Sequence, residues 1–134
     1  MKMTISVPKD KVNVENLRKL LSSKGNLIKK SLGTDSLEFE TTGKEVKFPW
    51  FDDGASAEEV TAYIQLIEGL CKMTVNQKRI QAKEREVQSE KYTFRCFLLR
   101  LGFVGDEYKT SRKILLKNLA GDSAFKDDRR KEAR

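Results

Sequence analysis

Histidine occurs nowhere in the 134 residues. Its absence removes the commonest general base, the commonest transition-metal ligand and the side chain whose unperturbed charge changes near neutral pH. Cysteine is almost as scarce. Cys71 and Cys96 are the only two, too few for the disulfide framework of a small secreted domain, and each lies in an apolar-periodic stretch where a free thiol is normally buried. Proline occurs twice, at Pro8 and Pro49, so helices are interrupted at few places. No apolar run approaches the roughly 20 residues needed to span a bilayer. The opening residues MKMTISVPKDKV hold too short an apolar run for a secretory leader. The expectation is a cytoplasmic protein with no membrane partner.

Charge is what the chain has in quantity. Lys and Arg number 27 against 20 Asp and Glu, a net charge of +7, and charged residues make up 35% of the sequence. A chain of this length buries roughly two thirds of its unfolded surface, enough for a core without disulfide or metal staples. A basic surplus of this size attracts anionic partners weakly and mainly at long range.

Met3, Ile5 and Val7 alternate with Thr4 and Ser6, the period-two pattern of a strand, and Pro8 ends it because proline cannot donate to a ladder. Asn13 is a suitable N-cap for a helical stripe of Val14, Leu17, Leu21, Ile28 and Leu32, widened by Leu20 and Leu27. Gly25 and Asn26 weaken its middle, which predicts one irregular helix or two short ones, closed by Gly33. Two short strands follow over 36–41 and 45–48, with Thr42–Gly43 as a hairpin turn, and 49–54 reads as a loop. Ser56 and Glu59 form a capping-box pattern at the start of the strongest helix. Val60, Tyr63, Ile64, Ile67, Leu70, Cys71 and Thr74 make its apolar face, and Leu66, Met73 and Ile80 widen it into a shoulder. A further helix with Tyr92, Phe94, Phe97, Leu98 and Leu101 stops at Gly102, and Asp106 caps a last long helix that ends at Gly121. The predicted fold is α+β: a small three-stranded sheet with a hairpin, packed against about four helices in the order β-α-β-β-α-α-α. Residues 1–125 form one domain and 126–134 a charged, disordered tail.

No residue pattern announces catalysis. Asp52–Asp53 and Asp127–Asp128 lack the ordered oxygen ligands of a calcium loop. Gly102, Gly105 and Gly121 lack the spacing of a phosphate loop. Ser22, Ser23, Ser89, Ser111 and Ser123 have no nucleophile-elbow context, and Glu84, Glu86 and Glu90 sit among Lys83, Arg85 and Lys91 as a solvated helix surface. The expectation is a protein that is not an enzyme and carries no cofactor and no metal.

Binding candidates are easier to name. Lys109, Lys113 and Lys117 recur at i,i+4 spacing with Arg112 beside them, and Arg129 and Arg130 follow in the tail; together they could meet phosphates. The stretches 92–101 and 107–120, joined by 102–105, have the lengths of a helix-turn-helix. Base-reading side chains are not set out clearly in them, and a plain solvated face is the ordinary reading. Trp50 and Phe51 either close the core at the end of the sheet or anchor a protein partner. Phe125, in the segment SAFK, either packs back on the helices or docks. The apolar shoulder of the 56–80 helix would serve a homodimer.

The strings FPWF at Phe48–Phe51, NQKR at Asn76–Arg79, EKYTFRCFLLRLGFVGDEYKTSRKILLKNLAG at Glu90–Gly121 and SAFK at Ser123–Lys126 have a counterpart elsewhere. Through them the chain resembles a group of small uncharacterised proteins, some called virulence-related, from gut-dwelling anaerobic Gram-positive bacteria and their mobile elements. The likeness spans nearly the whole chain. It implies a bacterial cytoplasmic protein carried by a phage or conjugative element, and it assigns no chemistry to any residue. The sequence therefore points to a non-enzymatic interaction or accessory module acting in a protein or nucleoprotein complex. The alternative is a basic DNA- or RNA-binding regulator that uses the helix 107–120.

Overall fold

The structure, a computed structural model, describes residues 2–77 and 89–120. Strand β1 (Lys2–Pro8) passes through a 3-10 turn, Lys9–Lys11, to helix α1 (Val14–Leu32). Asn13 caps α1, its side chain accepting from the Asn16 amide at 3.1 Å. The helix runs unbroken through Gly25 and Asn26, so it is one element rather than two. Gly25 is buried, and a Cβ there would lie 3.6 Å from Leu37 Cδ1. Burial of Leu20, Leu27 and Ile28 around it outweighs the roughly 1 kcal/mol propensity cost of a single glycine. Gly33 then closes the helix with a left-handed backbone, φ 70°, a conformation that favours glycine.

The sheet has the order β1-β3-β2 and is antiparallel throughout. Central β3 spans Glu45–Asp52, whereas β2 is only Glu40–Thr41. Residues 36–39, predicted as the start of that strand, are irregular. Their backbone is claimed by other partners: Trp50 Nε1 donates to the Glu38 carbonyl at 2.9 Å, and Thr34 Oγ1 donates to the Ser36 carbonyl at 3.2 Å.

β3 corrects a second expectation by running past Phe48 through residues read as a loop. Met3 pairs with Phe51 and Ile5 with Phe48, so Thr4 alone faces Pro49 and Trp50. That is a β-bulge on β3. Proline is tolerated there because the bulge asks for no ladder donor. The extra residue also breaks the in–out alternation, so Phe48, Trp50 and Phe51 all enter the core.

The predicted capping box opens α2 (Ala57–Asn76): the Glu59 amide donates to Ser56 Oγ at 3.2 Å and the Ser56 amide to Glu59 Oε1 at 3.0 Å. Helices α1, α3 (Glu90–Leu101) and α4 (Lys109–Leu116) all pack on α2. Its shoulder residues Leu66 and Met73 are buried by the chain's own helices, which corrects the expectation that this shoulder holds a homodimer. Ile80 lies outside the described residues.

Helix α4 is shorter than predicted. Asp106–Tyr108 forms a 3-10 turn and the α-helix ends at Leu116. Beyond it Leu119 turns back into the core, and the Lys91 amide donates to the Ala120 carbonyl at 2.9 Å, tying this end to the start of α3. The architecture is α+β in the order β-α-β-β-α-α-α, as the sequence predicts. Among the described residues no helix is long and apolar enough to cross a membrane.

Candidate functional site

The basic residues of α4 divide between structure and solvent. Arg112 Nη1 donates to the Phe103 carbonyl at 2.7 Å and to the Gly105 carbonyl at 3.0 Å, so its guanidinium braces the turn between α3 and α4. Lys117 pairs with Glu59 of α2 at 3.5 Å. Lys109 and Lys113 are exposed. Of the predicted row, Arg112 is taken up by the turn, Lys117 shares an exposed ion pair, and Lys109 and Lys113 face solvent. Arg129, Arg130 and Phe125 lie outside the described residues.

Trp50 and Phe51 are 2% and 1% exposed. Trp50 stands edge-on to Phe48 with centroids 5.0 Å apart, and Phe51 stacks on Tyr63 at 4.8 Å. Both rings are core, the first of the two readings the sequence left open, and neither is an exposed docking anchor; the bulge turns the pair inward.

A different site lies along α1. Arg18, Ser22, Asn26 and Lys29 follow one another at helical spacing and line one wall of a cleft of about 660 Å³. The facing wall is the irregular segment with Asp35, Ser36 and Glu38, and Leu21 and Leu37 contribute apolar surface between the walls. A second cleft of about 570 Å³ continues along Lys30, Thr34 and Glu90 and shares Asn26, Lys29 and Asp35 with the first. The two form one open groove.

Local chemistry holds this groove in shape. Leu37 packs against α1 beside Gly25, and the indole N–H of Trp50 fixes the backbone at Glu38. The Arg18 guanidinium lies over the Phe39 ring, 5.7 Å from its centroid, a cation–π contact. Lys30 donates to the Glu90 carboxylate across the far end of the groove. That hydrogen bond, helped by the Ala120 amide, holds Glu90 below the usual carboxylate range. Arg18, Lys29 and Lys30 thus stand on the helix wall, with Asp35, Glu38 and Glu90 facing them.

The remaining perturbed groups have structural causes. Hydrogen bonds from the Ser56 backbone and side chain hold Glu59 low, with Lys117 adding to them. Burial raises the Tyr63 hydroxyl, and Glu59 raises it further. Burial, then Glu68, pushes the Cys71 thiol up to about 12, which keeps it protonated and unreactive near neutral pH. Among the described residues no three His, Cys, Asp or Glu side chains converge as a metal site.

Sequence reasoning missed the groove because only one wall carries a periodic signal. The polar row on α1 is indistinguishable from a solvated helix face until the segment 34–39 is known to lie against it. Comparison of the chain with protein-family models, with curated proteins and with solved structures finds no match.

Proposed function

We propose that this chain is a non-enzymatic interaction module that holds an extended segment of a partner protein in the groove between α1 and residues 34–39. The observation that carries this reading is the two-signed lining, with Arg18 and Lys29 on one wall and Asp35 and Glu38 on the other. A polypeptide segment bearing both charges satisfies both walls, whereas a phosphate backbone meets the carboxylates as like charge. Leu21, Leu37 and Phe39 offer the apolar contact that gives such a segment affinity. The cleft volume falls within the range of small binding sites. A setting in a mobile element, which the resemblance implies, belongs to the same proposal and adds no residue to it.

Fluorescence anisotropy with labelled short peptides of mixed charge tests the reading. Binding should weaken roughly tenfold when Arg18 and Lys29 are both changed to Glu, the usual size of losing a charged contact or two. Asp35→Lys should weaken it as well. Binding that ignores all three substitutions would count against the groove.

The second reading, nucleic-acid contact, is favoured by one observation: Lys109 and Lys113 are exposed on α4 in a chain of net charge +7. Two phosphate contacts give a shallow salt dependence, a slope of about −2 in log K against log salt. Labelled duplex and single-stranded DNA and RNA, titrated at low and near-physiological salt, check it. Salt-sensitive binding lost in Lys109→Glu/Lys113→Glu would support this reading, and no binding at low salt would end it.

A further inference from the structure

β1 lies at the edge of the sheet, and its outer side is open among the described residues. The ladder shows which groups it presents there. The Lys9 amide donates to the Lys44 carbonyl at 2.9 Å, which makes that a hydrogen-bonded pair. Pairing then alternates along the register Pro8–Glu45, Val7–Val46, Ser6–Lys47 and Ile5–Phe48. Val7 and Ile5 bond inward to β3, and Ser6 and Thr4 turn their N–H and C=O groups outward. Pro8, which has no N–H, falls on an outward position. The bulge adds its extra residue to β3 and leaves β1 regular.

Natural edge strands are usually blunted by charge, above all by lysine, or by proline. β1 carries such residues only at its two ends, Lys2 and Pro8, and residues 3–7 between them carry no charge. Met3, Ile5 and Val7 are only half-buried on the helix-covered side, and Thr4 and Ser6 are exposed on the other. Beside the open edge runs a groove of about 650 Å³ between the end of β1 and α2, with Val7, Cys71 and Val75 in its lining. Val75 is 53% exposed. The rim of this groove carries Asp10 and Glu68 together with Lys11 and Lys72, two charges of each sign. In a chain of net charge +7 this is a neutral patch, where a second copy approaches without the repulsion it meets elsewhere.

We infer that two copies of this chain associate through β1, pairing edge to edge and antiparallel about a two-fold axis at Ile5, so that the two sheets become one continuous sheet. In that register Thr4 of each copy exchanges both backbone hydrogen bonds with Ser6 of the other. Ile5 meets its own counterpart, and Met3 lies opposite Val7 at the apolar groove. Opposite residues of an antiparallel pair share a face, so Met3, Ile5 and Val7 of both copies stay on the helix side and Thr4 and Ser6 stay in water. Pro8 of each copy then falls opposite Lys2 of the other, so its missing donor is lost only at the two ends of the ladder. The surface is distinct from the α1 groove, and this inference stands apart from the function proposed there.

Sedimentation velocity over a micromolar concentration series tests it, with three chains side by side. The wild type should pass from monomer to dimer as concentration rises. Thr4→Lys/Ser6→Lys places lysine opposite lysine twice and should weaken the dimer roughly tenfold or more. Thr4→Glu/Ser6→Lys places glutamate opposite lysine twice and should restore it. The changed side chains are solvent-exposed, and circular dichroism checks that the fold is kept. Hydrogen exchange on the wild type gives an independent readout, since the Thr4 and Ser6 amides should gain protection with concentration. A wild type that stays monomeric, a Lys/Lys variant that dimerises as well as wild type, or amides 4 and 6 that exchange independently of concentration would each overturn the inference.

Discussion

Trp50 is the only tryptophan, and it does two jobs from inside the core: its ring packs on Phe48 and Phe51 and its indole N–H holds the backbone of the groove wall at Glu38. Its emission should therefore be blue-shifted and resistant to acrylamide. Trp50→Phe keeps most of the packing and removes the donor, at a cost of about 1 kcal/mol, while Trp50→Ala should cost about 3–5 kcal/mol. Urea denaturation measures both, and a water-like emission from the native protein would contradict the buried position. The caps make a second residue-scale prediction. Ser56→Ala removes the acceptor of the capping box and should cost about 1 kcal/mol. Glu59 and Glu90 are both held below their ordinary value of 4.5 in the folded chain, so at acid pH the unfolded chain binds the extra protons. Their contribution is therefore fully present above about 4.5 and is lost as pH falls through the lowered folded values. A melting temperature followed from pH 7 to 3 should decline in that window, and the Glu59 part of the decline should shrink in Ser56→Ala.

Two glycines inside helices predict opposite outcomes at the scale of elements. Gly25 of α1 has room for a methyl group, 3.6 Å from Leu37 Cδ1, so Gly25→Ala should gain about 0.5–1 kcal/mol of helix propensity. Gly69 of α2 has none, because a Cβ there would sit 3.1 Å from Leu101 Cβ and 3.3 Å from the Leu101 carbonyl oxygen. The obstacle is partly backbone, and Gly69→Ala should cost about 1–3 kcal/mol through overpacking of α2 against α3. Thermal melts of the two variants check the contrast, and equal effects would contradict the packing. These elements also mark how far the sequence was legible. Helices announce themselves through caps and stripes, and Asn13, Ser56 and Gly102 each stand where the pattern put them. The sheet was harder, because Pro49 reads as the end of a strand, whereas it sits in a bulge that β3 runs through. Residues 36–39 alternate like a strand, yet their hydrogen bonds go to Trp50 and Thr34 instead of a ladder. Local pattern has no access to that choice, which is made by tertiary contacts.

For the whole molecule, the basic surplus that the composition displays is spread over unlike tasks. Arg112 braces a turn, Lys117 and Lys30 meet carboxylates, Arg18 lies over an aromatic ring, and Lys109 and Lys113 face solvent. Counting cations along the chain could not separate these roles, since those of Arg18, Lys30 and Lys117 depend on partners distant in sequence. The same holds for the α1 groove, whose walls come together only when residues 34–39 fold back along the helix. Its two-signed lining is the basis for a protein segment as the ligand. The most direct test is a titration of the isotope-labelled protein followed by amide NMR, with mixed-charge peptides in one series and duplex DNA in another. Peptide-induced shifts confined to the face of α1 between Arg18 and Lys29 and to residues 34–39 are the predicted result. Shifts confined to α4 around Lys109 and Lys113 and produced by DNA alone would contradict it.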